Sequence, residues 1–106
     1  MVARGEVWWG LVGREPDAKR RPYMVLTRQA AIGVLHSVLA VPATRTVRSI
    51  PTEVHLERDD GMPEPCVLSL DNMVLMPKAF LVERLCRLGP SRMSEVCEAL
   101  RAATGC

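Results

Sequence analysis

Residues 5–12 read Gly5-Glu6-Val7-Trp8-Trp9-Gly10-Leu11-Val12, a run rich in β-branched and aromatic side chains that stops at Gly13. Such a run predicts a β-strand. Beyond it, the charged, breaker-containing stretch Gly13 to Arg21 (GREPDAKRR) predicts a loop closed by Pro22. Pro22 fixes its own φ and drives Arg21 into an extended conformation. Tyr23 to Leu26 predicts a second strand. A short connection around Gly33 leads to a third run, His36 to Val41, whose mostly apolar content predicts burial on both faces. Pro42 is expected to end that pairing, leaving Ala43 to Ser49 as a polar segment.

After Pro51, Thr52 to Glu57 (TEVHLE) alternates polar and apolar with period two, the pattern of a half-exposed strand. Asp59-Asp60-Gly61 predicts a turn, lengthened by Met62-Pro63-Glu64-Pro65. Cys66 to Leu70 predicts another strand, and Arg84 to Leu88 a weaker one reached through a break at Pro77. Only the C-terminal end reads as helix. Gly89 suits the cap, Pro90 the first helical position and Gly105 the stop. Between them Met93, Val96, Cys97, Leu100 and Ala103 share one face. The pattern predicts a mainly β fold with a C-terminal α-helix (α+β): a small, strongly bent sheet or barrel with the helix packed on it, one domain over residues 1–106.

Composition narrows the class. The chain has 106 residues, 48% of them apolar and 25% charged, which argues against disorder. The net charge of +2 is uneven: residues 1–50 carry eight Lys or Arg against three acids, leaving +5 there and −3 in the remainder. A basic half points to a polyanionic partner or to a solvated basic surface. The four cysteines (Cys66, Cys86, Cys97 and Cys106) include no C-x-x-C pair, and there are two histidines. A zinc site of standard spacing is not expected. No signal peptide and no apolar stretch of about 20 residues is visible, so reduced thiols in a cytoplasmic protein with no membrane partner are expected.

Four ordered segments resemble the MazF/PemK family of toxin endoribonucleases. Arg4-Gly5-Glu6-Val7-Trp8 is similar to the family's R-G-[DE]-[IV]-[WY] first strand. Arg20-Arg21-Pro22-Tyr23-Met24-Val25-Leu26 resembles its R-P-x-[LVM]-[VI]-[IL] second strand. Val41-Pro42-Ala43-Thr44-Arg45-Thr46 resembles the strand end closing in P-[IVA]-T, and Pro51-Thr52-Glu53-Val54 the following P-[TF]-x-V strand. Leu70-Asp71-Asn72 stands at the family's [DE]-Q element, and Arg84-Leu85 through Leu100 resembles its ending. Two departures, Asn72 in place of the commoner Gln and a shorter, more charged loop before Arg21, bear on which RNA sequence is preferred.

The resemblance implies a small barrel of the SH3-like, CcdB-MazF type and the toxin component of a type II toxin–antitoxin system. The implied activity is metal-independent, sequence-selective cleavage of single-stranded RNA by the 2′-hydroxyl, giving 2′,3′-cyclic phosphate and 5′-hydroxyl ends. Aligning that nucleophile and neutralising the phosphate require little more than an oriented guanidinium and a hydroxyl. The resemblance places these at Arg21 and Thr44, with Arg21 a bidentate clamp on the phosphate and Thr44 a hydrogen-bonding partner of an oxygen. Lys19, Arg20, Arg45, Thr46 and Arg48 are implied RNA-binding residues. A homodimer, an RNA substrate and a cognate antitoxin are the implied partners, and no cofactor or metal is implied.

The residues themselves admit other readings. A Lys-Arg-Arg run is commonly a solvated loop charge, and a lone strand-end Thr commonly satisfies the backbone. Trp8 and Trp9 point to opposite faces, so one is expected in the core and the other at an interface or against a base. His36 and His55 fit structural roles better than a catalytic pair. Asp59-Asp60 are adjacent acids in a turn and do not converge on an ion. The main rival is a non-enzymatic CcdB-like toxin that binds and poisons DNA gyrase, which has no need of an Arg21/Thr44 pair. An SH3-like adaptor would want an aromatic-lined groove that this chain's four aromatics do not supply.

Overall fold

The computed structural model describes residues 1–13 and 19–106. The strand expected at residues 5–12 is β1, Glu6–Val12, and it pairs antiparallel with β2, Lys19–Val25. The ladder runs from Val7↔Met24 to Val12↔Lys19, so Lys19, Arg20 and Arg21 lie in β2 and not in the loop expected there. Backbone pairing with Gly10–Val12 overrides the unfavourable strand propensity of three consecutive cations, whose exposed side chains reach solvent. The remainder of the expected loop, residues 14–18, lies outside the described residues. Gly10 is required where it stands: a Cβ there would lie 2.6 Å from the Tyr23 ring.

A short helix, α1 (Gln29–Ile32), precedes β3, Ser37–Thr44. Pro42 does not end this strand. It pairs with Tyr23 of β2, after which Ala43 and Thr44 pair with Leu68 and Val67 of β5, Cys66–Ser69. Proline has no N–H to donate, so the strand changes partners there and continues. Nor is β3 buried on both faces: Leu39 is exposed, as is Leu75, its partner in β6 (Val74–Pro77). The sequence reading missed β6, whose Val74 and Leu75 are exposed while only Met76 is buried, and Pro77 suggested a break.

β4 (Glu53–Leu56) pairs with β5 and shows the expected alternation, with Val54 and Leu56 buried and His55 exposed. The expected turn at Asp59–Gly61 is a 3₁₀ turn, Arg58–Asp60, ending on left-handed Gly61. β7 (Leu81–Arg87) returns to pair with β1. The C-terminal helix, α2, spans Pro90–Thr104, with extended Gly89 before it and left-handed Gly105 after it, as expected.

The sheet order is β4-β5-β3-β2-β1-β7, with β6 branching from β3. Val54 and Leu56 of β4, Cys86 of β7 and Val96 of α2 share one core cluster with Val7, Met24 and Leu68. Opposite ends of the strand path thus enclose the same core, and the mainly antiparallel sheet curls into a small barrel-like fold with α2 packed against it. A second cluster, built on Val25, Ile32, Val38, Met76 and Leu81, receives Trp8. Neither tryptophan is fully buried. All four cysteines are free, with Cys66 and Cys86 buried. Among the described residues no helix is long and apolar enough to cross a membrane.

Candidate active site

Where β3 leaves β2 for β5, the two strands stop being hydrogen-bonded neighbours, and a cleft of about 410 Å³ opens beside the parting. β1 and β2 supply Trp9, Arg20, Arg21 and Pro22; the end of β3 supplies Ala43, Thr44, Arg45 and Thr46. The floor and far wall are Met62, Pro63, Glu64 and Cys66, from the segment joining β4 to β5. Continuing the Tyr23↔Pro42 register two positions brings Arg21 opposite Thr44, so the topology itself aims both side chains at one space. The two prolines flanking this point, Pro22 and Pro42, lack the N–H groups that would have kept the strands zipped.

The electrostatics of the cleft are uneven. Arg20 stacks over the Trp9 ring, 4.9 Å from its centroid, and is ion-paired to Glu83. Arg45 is paired with Glu64 at 3.0 Å. Among the described residues Arg21 is in no ion pair, which leaves its guanidinium available to an anion. Thr44 Oγ1 accepts the Thr46 N–H at 3.1 Å, which holds the hydroxyl oxygen in place while its proton remains to be donated. Burial pushes the Cys66 thiol up to about 11, with Cys86 and Glu64 nearby adding to the rise, so at neutral pH the thiol is protonated and no nucleophile.

Five of the seven residues singled out in the sequence line this one cleft: Arg20, Arg21, Thr44, Arg45 and Thr46. Lys19, at the start of β2, and Arg48, in the β3–β4 loop, are exposed and lie outside its wall. His36 and His55 are also exposed and do not line it. Among the described residues no three His, Cys, Asp or Glu side chains are grouped as a metal site would require. Sequence reasoning missed Glu64, Met62, Pro63 and Cys66 as cleft residues. They arrive through the long-range pairing Thr44↔Val67, which no local pattern announces.

This arrangement can be set beside known proteins. A family model described as the PemK-like, MazF-like toxin of type II toxin–antitoxin systems matches residues 3–104. The chain belongs to this family. It is 42% identical over 107 residues to a probable endoribonuclease MazF5 of Mycobacterium tuberculosis, covering 100% of this chain and 95% of that protein. A probable endoribonuclease MazF2 of the same species is 36% identical over 106 residues, covering 99% and 100%. Among solved structures, an endoribonuclease in complex with its cognate antitoxin from a mycobacterial species superposes with a TM-score of 0.88 at 27% identity, covering 99% of this chain and 96% of that one. The Mycobacterium tuberculosis toxin MazF-mt6 gives 0.85 at 29% identity, covering 94% and 96%. The family members thus share the fold expected from the sequence, a mainly antiparallel sheet with a C-terminal helix.

Proposed function

We propose that this chain is the toxin of a type II toxin–antitoxin pair and an endoribonuclease that cleaves single-stranded RNA within the Arg21–Thr44 cleft. The observation that carries the reading is the convergence of an oriented hydroxyl and a guanidinium that is in no ion pair among the described residues, in one basic cleft of a family whose relatives carry endoribonuclease names. In the proposed reaction the ribose 2′-oxygen gives up its proton and bonds to phosphorus, and the bond to the 5′ oxygen breaks. The leaving oxygen takes a proton, and the products are a 2′,3′-cyclic phosphate and a 5′-hydroxyl. Arg21 clamps the phosphate as negative charge accumulates on it, and Thr44 donates to a phosphate oxygen. Both roles are served by residues of this chain with no metal among them.

Arg20, Arg45 and Thr46 hold the RNA inside the cleft, while Lys19 and Arg48 extend the basic track outside it. Trp9, half-buried in the wall, offers a ring face to an unpaired base. A homodimer fits the exposed apolar residues Leu39 and Leu75, which face each other across the paired strands β3 and β6. A cognate antitoxin with an acidic, disordered segment is the partner that would compete with RNA for the cleft. Free cysteines and an RNA substrate support a cytoplasmic location.

The test is incubation of purified protein with a long unstructured RNA in excess EDTA, with Arg21→Ala and Thr44→Ala alongside and both product ends mapped. Discrete cuts with cyclic-phosphate and 5′-hydroxyl ends are expected from the wild type. Either variant should be slower by about 10²-fold or more, the usual effect of losing one transition-state donor. Intact RNA at high wild-type concentration would overturn the reading.

A further inference from the structure

The β3–β4 loop, residues 45–52, carries two local costs side by side. Ser49 adopts φ +56, the only described non-glycine residue with a positive φ. Glu53, the first residue of β4, is 91% buried and its Oε2 has no hydrogen-bond partner among the described residues. A carboxylate oxygen buried without a donor is expensive, and a serine in the left-handed region is strained. Neither cost is offset by what Glu53 does for its own strand, because β4 pairs with β5 through backbone groups.

What Glu53 does is hold the loop. Its Oε1 accepts the Arg48 N–H at 3.0 Å and the Ser49 N–H at 2.9 Å, so one oxygen clamps two consecutive amides. The Glu53 N–H closes the turn from the other side by donating to the Ile50 carbonyl at 3.1 Å. Residues 45–50 are exposed; at its Thr44 end the loop is also held by the Thr46 N–H on Thr44 Oγ1 and by the Arg45–Glu64 ion pair, and at its far end Thr52 donates to Asp71 at 2.6 Å. The two ends of the segment are therefore fixed, one at the proposed catalytic threonine and the other at Glu53. Strain kept at such a place, with no compensating gain in the core, marks a conformation selected for use.

We propose that Glu53 is a positioning residue for RNA cleavage: by clamping the Arg48 and Ser49 amides it sets the β3–β4 loop in the conformation that presents Arg45 and Thr46 to RNA at the Thr44 end of the cleft. This rests on the endoribonuclease reading. A loop already ordered loses little entropy when RNA binds, so the contribution appears in substrate binding more than in the chemical step.

The experiment compares wild type, Glu53→Ala, Glu53→Gln and Arg21→Ala in steady-state RNA cleavage, with amide hydrogen exchange at Arg48 and Ser49 measured on the same samples. Glu53→Ala is expected to raise KM about tenfold with kcat within about threefold of wild type, the cost of re-ordering one or two backbone residues on binding. Protection of both amides should be lost in that variant. Glu53→Gln keeps the oxygen that accepts both N–H groups and is expected to hold KM within about twofold and to keep the protection. A purely structural role predicts the opposite split: fewer active molecules, a lower apparent kcat, a lower Tm and an unmoved KM. That result, or a glutamine variant as impaired in KM as the alanine, overturns the proposal. Failure of the wild type to cleave RNA would instead overturn the reading beneath it, and the two failures are told apart in one data set. Should Glu53→Ala not fold, Glu53→Met, which fills nearly the same buried volume but carries no oxygen to accept the two N–H groups, replaces it with the same expectation.

Discussion

The Arg20 guanidinium lies over the Trp9 ring, 4.9 Å from its centroid, while its charge is shared with the Glu83 carboxylate. Three strands meet in this contact: Trp9 is on β1, Arg20 on the adjacent β2, and Glu83 on β7 opposite Trp9. Arg20 is thereby held at the rim of the cleft in a fixed orientation, and an exposed cation–π contact of this kind contributes about 0.5–1 kcal/mol.

Replacement of Arg20 by alanine should weaken RNA binding and reduce its salt dependence. Loss of one phosphate contact on a single strand lowers the slope of log K against log salt by about 0.7. The measurement is fluorescence anisotropy of a labelled RNA from low to moderate salt, made on Arg21→Ala protein so that the RNA stays intact. Tighter binding with an unchanged slope would mean that Arg20 shields Trp9 from bases instead of gripping phosphate.

The buried Glu6 carboxylate ties the N-terminus to two strands. Its Oε1 accepts the Ala3 N–H at 2.8 Å and the Trp8 indole N–H at 3.0 Å, and its Oε2 meets Arg84 at 3.2 Å. Glu6→Ala would strand two part-buried donors, and a loss of about 2–3 kcal/mol is expected. Glu6→Gln keeps an acceptor for both N–H groups and should lose less. Urea unfolding with unchanged m-values measures both. An alanine variant within about 0.5 kcal/mol of wild type would show that water replaces the carboxylate freely.

Much of this architecture was legible where the local pattern and the tertiary context agree. Alternation in Thr52–Glu57 found β4, and the Gly89-Pro90 start with the Gly105 stop found α2. The misses share a cause. Lys19–Arg21 read as loop because charge and breakers dominate a local window, yet pairing with β1 makes them strand. Pro42 read as a terminator because a proline ends one ladder, and nothing local reveals that β5 waits on the other side. β6 was invisible because Val74-Leu75-Met76 is apolar throughout and shows no alternation, although only Met76 is buried. Arg21 and Thr44 were found through family resemblance. Glu64 was not found, because it reaches the cleft only through the fold.

Acid should loosen the far wall of the cleft before it unfolds the core. That wall, Met62 to Glu64, follows the 3₁₀ turn at Arg58–Asp60, and Asp60 pins the turn to α2 by accepting from Arg92 Nε at 3.1 Å. Burial of the Asp60 carboxyl opposes its ionisation. The Glu57 N–H and the Arg92 guanidinium outweigh that effect and hold its pKa below the usual carboxylate range. Because the folded value lies below the unfolded one of about 4, the ionised pair stabilises the protein at all pH above that value. The stabilisation disappears as pH falls through the folded pKa. Asp60→Asn keeps an acceptor for the Glu57 N–H but cannot pair with Arg92 as a charge. Its stability deficit should be about 1–2 kcal/mol at pH 7 and should shrink as pH falls below the unfolded value and through the folded one, where wild type loses the same charge. Urea titrations of both proteins between pH 2.5 and 7 measure the gap, and a gap that stays constant across that range would mean that the aspartate contributes by shape alone.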